Sequence, residues 1–424
     1  MFANNVFMKK KLYFIDLFAG CGGLSLGLMK AGFTGLFAIE RNKDAFATLS
    51  QNLLSSKISN GFRWPKWLPC ENMTTSHFLE NYTDEILKLR GKVDLVAGGP
   101  PCQGFSFVGL RNPNDPRNRL TEEYIKIVSL LQPKLLILEN VKGFQSAFRN
   151  GVGVMKQPYS EYVVKMLESL PVRYKVFKKV LLASEFGVPQ PRPRFVMIAI
   201  RNDLLEKSQL SSVQNDEFFS RLMQFTKKEK EARCLKDSFT PLKDAIKDLC
   251  LLGKMLKKCD DNPNFQQIIY KEPSKMSAYL RLMRDRCSKS FEPNSLRIPN
   301  HKKETIQKFS YILKHAQRGV TLSKKLRKKF NVKKQCFTVL SENKLSTTIT
   351  TSPDDCLHYS EPRVLTVREN ARIQSFPDWF EFKGKYTTGG MLRREDCPRY
   401  SQVGNAVPPL MAEIIGNFVI NIIR

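Results

Sequence analysis

Leu12 to Glu40 reads LYFIDLFAGCGGLSLGLMKAGFTGLFAIE, and the class of fold follows from it. Leu12–Phe18 has the pattern of a strand, Ala19–Gly23 is a glycine turn, Leu24–Ala31 is an apolar helix, and Phe37–Glu40 is a second strand ending in a carboxylate. Strand, tight turn, helix and strand in succession open an α/β fold with a parallel sheet. An acid about twenty residues beyond such a turn is placed to grip a pair of ribose hydroxyls, so a nucleoside cofactor is expected. After Gly20 and Gly22 the third glycine position holds Ser25. A dinucleotide's pyrophosphate is therefore poorly provided for, and S-adenosylmethionine, with a ribose and no phosphate, suits the turn better. A tight turn with no ligand would leave the same glycines.

Working outward, Val93–Ser106 reads VDLVAGGPPCQGFS. Val93–Ala97 is a buried-strand pattern stopped by two glycines and two prolines, which leaves Cys102 on a stiff loop at a strand's carboxyl end. Open α/β sheets carry their chemistry at that edge, and a soft nucleophile there suggests covalent catalysis; a cysteine without such flanks is more often buried and inert. Arg111–Arg119 (RNPNDPRNR) suits either a lid that meets phosphates or a surface turn. Glu122–Leu131 is helical, and Lys134–Leu138 is a further strand that ends in Glu139 and Asn140. A carboxyl group at the apolar active edge should have a raised pKa and act as a proton donor; a solvated strand end would not. Val176–Leu182 and Phe195–Ile200 are strands, and between them Gln190–Arg194 (QPRPR) holds out two arginines as fixed forked donors.

The 424 residues exceed one ordinary core, and 42% hydrophobic content supports two domains. A net charge of +29, from 69 Lys and Arg against 40 Asp and Glu, implies an acidic partner, with nucleic acid ahead of an anionic membrane. The ten cysteines contain no CxxC pair and have neither metal-site nor disulfide-framework spacing, which suits a reducing, cytoplasmic setting. Met8–Phe18 imitates a signal peptide but is interrupted by Asp16 and lacks a cleavage site. No stretch is expected to span a bilayer.

Beyond Asn202 the alternation of strand and helix stops, and Lys-rich, weakly periodic sequence runs to about Leu345. Leu322–Lys334 sets Leu322, Leu326 and Phe330 at helical spacing among basic residues, a helix suited to phosphate contact. Trp64 and Trp67, beside Arg63 and Lys66, should pin a long loop to the core rather than stack on bases. Ser346–Thr351 is β-like, Thr366–Gln374 reads as a helix with its Arg and Glu exposed, and Gly404–Ala406 reads as a turn. Pro408 and Pro409 suit the start of an apolar helix, Leu410–Ile423, that must be buried, most naturally against the first domain. The division expected is a catalytic and cofactor domain over 1–201, a smaller, irregular, basic target-recognition domain over 202–395, and a return to the first domain over 396–424.

Six segments in order, DLFAGCGGLSLG, GGPPCQGFS, LENVKGF, QPRPR, RVLTVRENARIQSFPDW and QVGNAVPP, resemble the cytosine-C5 DNA methyltransferases of the bacterial modification type. The resemblance covers roughly Leu12–Ile200 and Ser346–Arg424. It implies an S-adenosylmethionine-dependent, Rossmann-like mixed sheet, and transfer of a methyl group to C5 of a cytosine flipped out of a specific duplex DNA sequence. It also implies roles. Cys102 is the nucleophile toward C6, Glu139 contacts N3 and the exocyclic amine, Arg194 contacts O2, and Arg192 builds the pocket. Phe18, Gly20, Gly22, Glu40, Pro101, Leu120 and Asn405 would line the cofactor site, with Gln103, Ser106 and Arg117 toward DNA. The family's adenine-binding aspartate is replaced here by Asn72, whose amide oxygen still accepts a hydrogen bond. A monomer with a complete site is expected, with a restriction endonuclease as functional partner. The rival within the family is a transfer-RNA methyltransferase, suggested by Cys336, Phe337 and Thr338. From other classes, a silent DNA binder is opposed by Cys102, Glu139 and Arg194 occurring together, and a nicotinamide oxidoreductase by the missing third glycine.

Overall fold

The computed structural model describes residues 11–54, 61–101, 119–145, 158–205, 209–388 and 396–423. Its centre is a six-stranded sheet in the order β2-β1-β3-β4-β6-β5. The strands are β1 (Tyr13–Leu17), β2 (Thr34–Ile39), β3 (Leu95–Gly98), β4 (Leu135–Val141), β5 (Tyr174–Leu182) and β6 (Pro193–Arg201). β2, β1, β3 and β4 run parallel, whereas β6 is antiparallel to both β4 and β5. This is the mixed α/β sheet expected.

Strand residues alternate between two apolar cores, as a pleat with period two requires. Ile15, Leu17, Phe37, Val96, Leu136, Leu138 and Met197 face one core, with α3 (Thr75–Lys88), α4 (Arg119–Leu131) and α5 (Tyr159–Glu168). Phe14, Ala38, Leu95, Ala97, Ile137 and Ile198 face the other, with α1 (Gly23–Lys30), α2 (Lys43–Leu53) and the helices Asn215–Ala232 and Pro409–Ile423. Both faces are covered, which is why these strands are nearly continuous apolar runs. α2 begins on Asn42, whose side chain accepts from the amides of Asp44 and Ala45, and α3 on Thr74, which accepts from His77. Trp64 donates to the Leu68 carbonyl at 2.9 Å, and Trp67 packs on Phe37 and Tyr82, so both tryptophans pin their loop to the core.

Several local expectations are corrected. Helix Asn215–Ala232 lies within the stretch read as weakly periodic, yet it packs on the sheet: Phe218 stacks on Phe177 of β5 with ring centroids 4.0 Å apart. The boundary expected at 202 falls inside that packing. Separate small cores lie beyond it, one around Phe309, Ile312, Phe337 and Leu357 and one around Leu249, Ile268, Tyr270 and Leu296. The basic helix contracts to Lys324–Lys329, capped by Ser323, with Leu322 and Phe330 buried at its ends. Ser346–Thr351 forms no strand. Helix Val367–Ile373 is buried at every residue, Arg368, Glu369 and Arg372 included, because each charge is satisfied within the protein: Arg363 grips Glu369 in bidentate fashion at 2.7 and 2.8 Å, Arg372 binds Asp378 at 2.8 Å, and Arg368 donates to the carbonyls of Asn294, Pro377 and Phe380. Gly404 and Asn405 close the helix Arg399–Asn405, so the turn begins at Ala406. The segment Arg399–Ile423 is, against expectation, long and apolar enough to cross a membrane by length and composition, but 67% of its most apolar window is buried within the protein.

Candidate active site

The carboxyl ends of β1 to β4 share one edge. At β1 the chain turns through left-handed backbone at Phe18 (φ 61°), Gly20 (φ 56°) and Gly22 (φ 91°), which only glycine adopts without strain, and Gly22 then caps α1. Glu40, just beyond β2, closes this turn: its two carboxylate oxygens accept from the Gly20 amide at 2.9 Å and the Asn42 amide at 2.7 Å. Burial pushes its pKa up, opposed by those two amides. The space where a Cβ of Gly20 would point is open for 4 Å. Ser25, standing where a third glycine would be, is buried and donates to Asp16 at 2.5 Å. Burial raises the Asp16 carboxyl to about 7. Phe18 is half-buried at the rim, Asn72 is exposed and donates to the Arg41 carbonyl at 2.9 Å, Leu120 lies half-buried in the first turn of α4, and Asn405 is exposed.

At β4 the register sets Glu139 opposite Val196 and Val141 opposite Arg194, so Glu139 and Arg194 are diagonal neighbours on one face. They form an ion pair at 2.8 Å, each with a side chain 14% exposed. Desolvation raises the Glu139 pKa and outweighs the lowering by Arg194 and Arg192. The β3 loop is held against this acid. A Cβ on Gly99 would stand 3.2 Å from a Glu139 carboxylate oxygen, and Asn140 donates to the Pro100 carbonyl at 3.0 Å. Pro101 is the last described residue of that loop; Cys102, Gln103, Ser106 and Arg117 lie outside the described residues.

Arg192 turns away from the acid's edge. Fully buried, it donates to the carbonyls of Ile349, Gly404 and Ala406 at 2.9, 2.7 and 2.9 Å, stitching the QPRPR segment to the two stretches that follow it in the sequence. Gln190 adds to this stitching: it donates to the Ile373 carbonyl and the Gln374 side-chain oxygen and accepts from the Ile349 amide. Neither Asn140 nor Gln190 was singled out as a site residue. Both sit inside quoted motifs, but an amide's partner 40 or 159 residues away leaves no local signal. A second constellation, Cys250 with His358 and Glu369, has the order of a nucleophile, base and orienting acid, but burial pushes the thiol up to about 11 and the imidazole down to about 4. Neither ionises near neutrality, so it is packing.

Residues 12–421 match the family model described as C-5 cytosine-specific DNA methylase. Among curated proteins the chain is 30% identical over 418 residues to the Type II methyltransferase M.DdeI of Desulfomicrobium norvegicum, covering 95% of this chain and 86% of that one. It is likewise 30% identical over 430 residues to the Type II methyltransferase M.XorII of Xanthomonas oryzae pv. oryzae, covering 97% and 85%. Among solved structures it superposes with a TM-score of 0.64 and 23% identity on a prophage-encoded E. coli protein described as a DNA modification methyltransferase, covering 97% of this chain and 99% of that chain. With a family model matched over nearly the whole chain and relatives of 30% identity covered almost end to end, the chain belongs to the C-5 cytosine-specific DNA methylases as a DNA cytosine-5-methyltransferase of the bacterial Type II kind.

Proposed function

We propose that the chain methylates C5 of a cytosine flipped out of one short duplex DNA sequence, through a covalent bond between Cys102 and C6. The observation that carries this reading is the Glu139–Arg194 pair at 2.8 Å, beside the loop that leads into Cys102. C5 of cytosine is a weak nucleophile. Addition of the Cys102 thiolate to C6, forming a C–S bond as N3 takes up a proton, turns C5 into an enamine carbon. Glu139, its pKa raised by burial, is the proton donor at N3, while Arg194 orients that carboxyl and offers its remaining N–H groups to O2. After C5 has gained its methyl group it loses its proton to a base, the electrons of that C–H bond expel the Cys102 thiolate, and N3 returns its proton to Glu139. A stacked base exposes neither face, so the cytosine must leave the helix, at a cost of a few kcal/mol.

The glycine turn fits S-adenosylmethionine. Glu40 is placed for ribose hydroxyls, and the open ground at Gly20 is a cradle that a side chain would fill. Phe18, Gly22, Pro101, Leu120 and Asn405 complete the proposed site, with Asn72 toward the adenine amine. Bound there, the cofactor supplies an electrophilic methyl group on a sulfonium. Arg192 acts as a positioning residue through the three carbonyls it holds. Gln103, Ser106 and Arg117 are proposed to face DNA, and the small cores beyond residue 245 to form the target-recognition part. The chain would act as a monomer on the bacterial genome, in the cytoplasm, as the modification partner of a restriction endonuclease. The transfer-RNA alternative loses ground because the relatives reported are Type II methyltransferases, and Phe337 and Thr338 are buried.

The test is transfer of labelled methyl groups from S-adenosylmethionine to unmethylated duplex DNA, with methylated cytosines mapped by bisulfite sequencing. Methylation confined to one short context is expected. Cys102→Ala should bind DNA and S-adenosylhomocysteine like the wild type yet show no turnover; wild-type turnover in that variant would remove the covalent route.

A further inference from the structure

Arg192, Arg368 and Arg372 are all buried, and all bind backbone carbonyls or carboxylates of the chain itself. Arg297 is different. It lies beside the hairpin formed by Leu256–Cys259 and Asn262–Ile268: Gln267 bridges to it, and the next residue, Ile298, donates to the Gln266 carbonyl at 2.8 Å. Its guanidinium centre is 3.6 Å from the Phe265 ring centroid and 4.2 Å from that of Tyr386. Arg399 is also over Tyr386, at 4.3 Å, but its N–H groups are committed to the Gly384 carbonyl, the Ser295 hydroxyl and Asp261. Among the described residues no carbonyl, hydroxyl or carboxylate accepts from Arg297, and none of its nitrogens is sealed away from solvent.

Two rings thus hold this guanidinium in place while its N–H edge stays available. A guanidinium serving the fold would have its donors satisfied within it, as its buried counterparts do. One fixed by stacking alone has lost its rotamer freedom in advance and presents a planar fork matched to two adjacent acceptors. The geometry points to Arg297 as a DNA-contacting residue that takes a paired acceptor, either two phosphate oxygens or O6 and N7 of a guanine. The inference rests on duplex DNA being the substrate, as proposed above. Both acceptor pairs belong to that duplex and both suit a bidentate arginine. Phe265 and Tyr386 are positioning residues for it.

The experiment uses the full chain and three variants, Arg297→Ala, Arg297→Lys and Phe265→Leu. Each is first checked for wild-type binding of S-adenosylhomocysteine and an unchanged unfolding midpoint. Equilibrium binding to the mapped cognate duplex and to duplexes altered at each position is then measured from low to moderate salt. Guanine contact predicts that Arg297→Ala and Arg297→Lys weaken cognate binding about ten- to hundredfold, barely affect unrelated duplex, and relax methylation at one position of the context. Phosphate contact predicts an equal loss on every duplex for Arg297→Ala and a salt slope shallower by about 0.9. Phe265→Leu should show a weaker form of whichever pattern appears. If all three variants bind and methylate like an active wild type, with the same salt slope, Arg297 has no such role and the DNA methylation reading stands. A wild type that binds no duplex DNA would overturn both.

Discussion

At the scale of single residues, Glu139 carries the proposed chemistry because two opposed effects act on one carboxyl. Desolvation raises its pKa, whereas the Arg194 and Arg192 charges lower it, and burial prevails. Arg194 therefore does two things: it orients the acid, and it limits how far the acid's pKa climbs. Glu139→Gln keeps the shape and an N–H donor but cannot deliver a proton to N3. Turnover should fall about 10²- to 10⁴-fold, the usual worth of a general acid, with S-adenosylhomocysteine binding unchanged. Single-turnover kinetics on cognate duplex would check this, and a loss below tenfold would assign the proton to another donor. Arg192 was legible in the sequence as a charge at the right edge. Its real partners, three carbonyls from segments more than 150 residues downstream, were not.

Elements succeed or fail by how closely they approach one another. α1 packs on the helix Pro409–Ile423 so tightly that a Cβ added at Gly27 would lie 2.4 Å from the Ala412 Cβ and 2.5 Å from the Pro409 carbonyl oxygen. Alanine there would gain about 1 kcal/mol of helix propensity, but overpacking against a backbone atom costs about 1–3 kcal/mol, so the clash wins. Gly27→Ala should move the urea midpoint of unfolding down by an amount worth up to about 2 kcal/mol; a higher midpoint would show that the two helices can separate freely. Spacing alone placed both helices. The need for glycine at position 27 arises only where they touch.

For the molecule as a whole, buried charge makes stability depend on pH. His358 is wholly buried, accepts hydrogen bonds from the Ser360 and Glu361 amides, and has its pKa pushed down to about 4, chiefly by desolvation. Its unfolded value is near 6.5, so between the two values the unfolded chain binds the extra proton. The stability it confers is therefore complete above about 6.5 and is lost as pH falls toward 4, at no more than about 1.4 kcal/mol per pH unit. His358→Asn, whose side-chain oxygen can accept from the same amides, should flatten that part of the curve. Chemical denaturation at several pH values between 4 and 7 measures it, and parallel curves for the two proteins would rule out this source. The region beyond residue 202 also joins the whole through the sheet's own core, because helix Asn215–Ala232 covers β5.

The sequence by itself determined the strands, the glycine turn, the strand-end acids and the apolar helices, because each depends on neighbours within a few residues and on a period of two or 3.6. It also carried the family, since six motifs in order are read without coordinates. Only the tertiary structure decided which charges are buried. Val367–Ile373 looks amphipathic until Arg363 arrives to pair with Glu369, Asp248 and Asp378 to pair with Arg372, and the carbonyls of Asn294, Pro377 and Phe380 to accept from Arg368. Likewise only the fold could place Arg192 on three carbonyls and leave Arg297 stacked with its donors available. A charged side chain's fate is set by partners brought from far along the chain, and no local pattern encodes them.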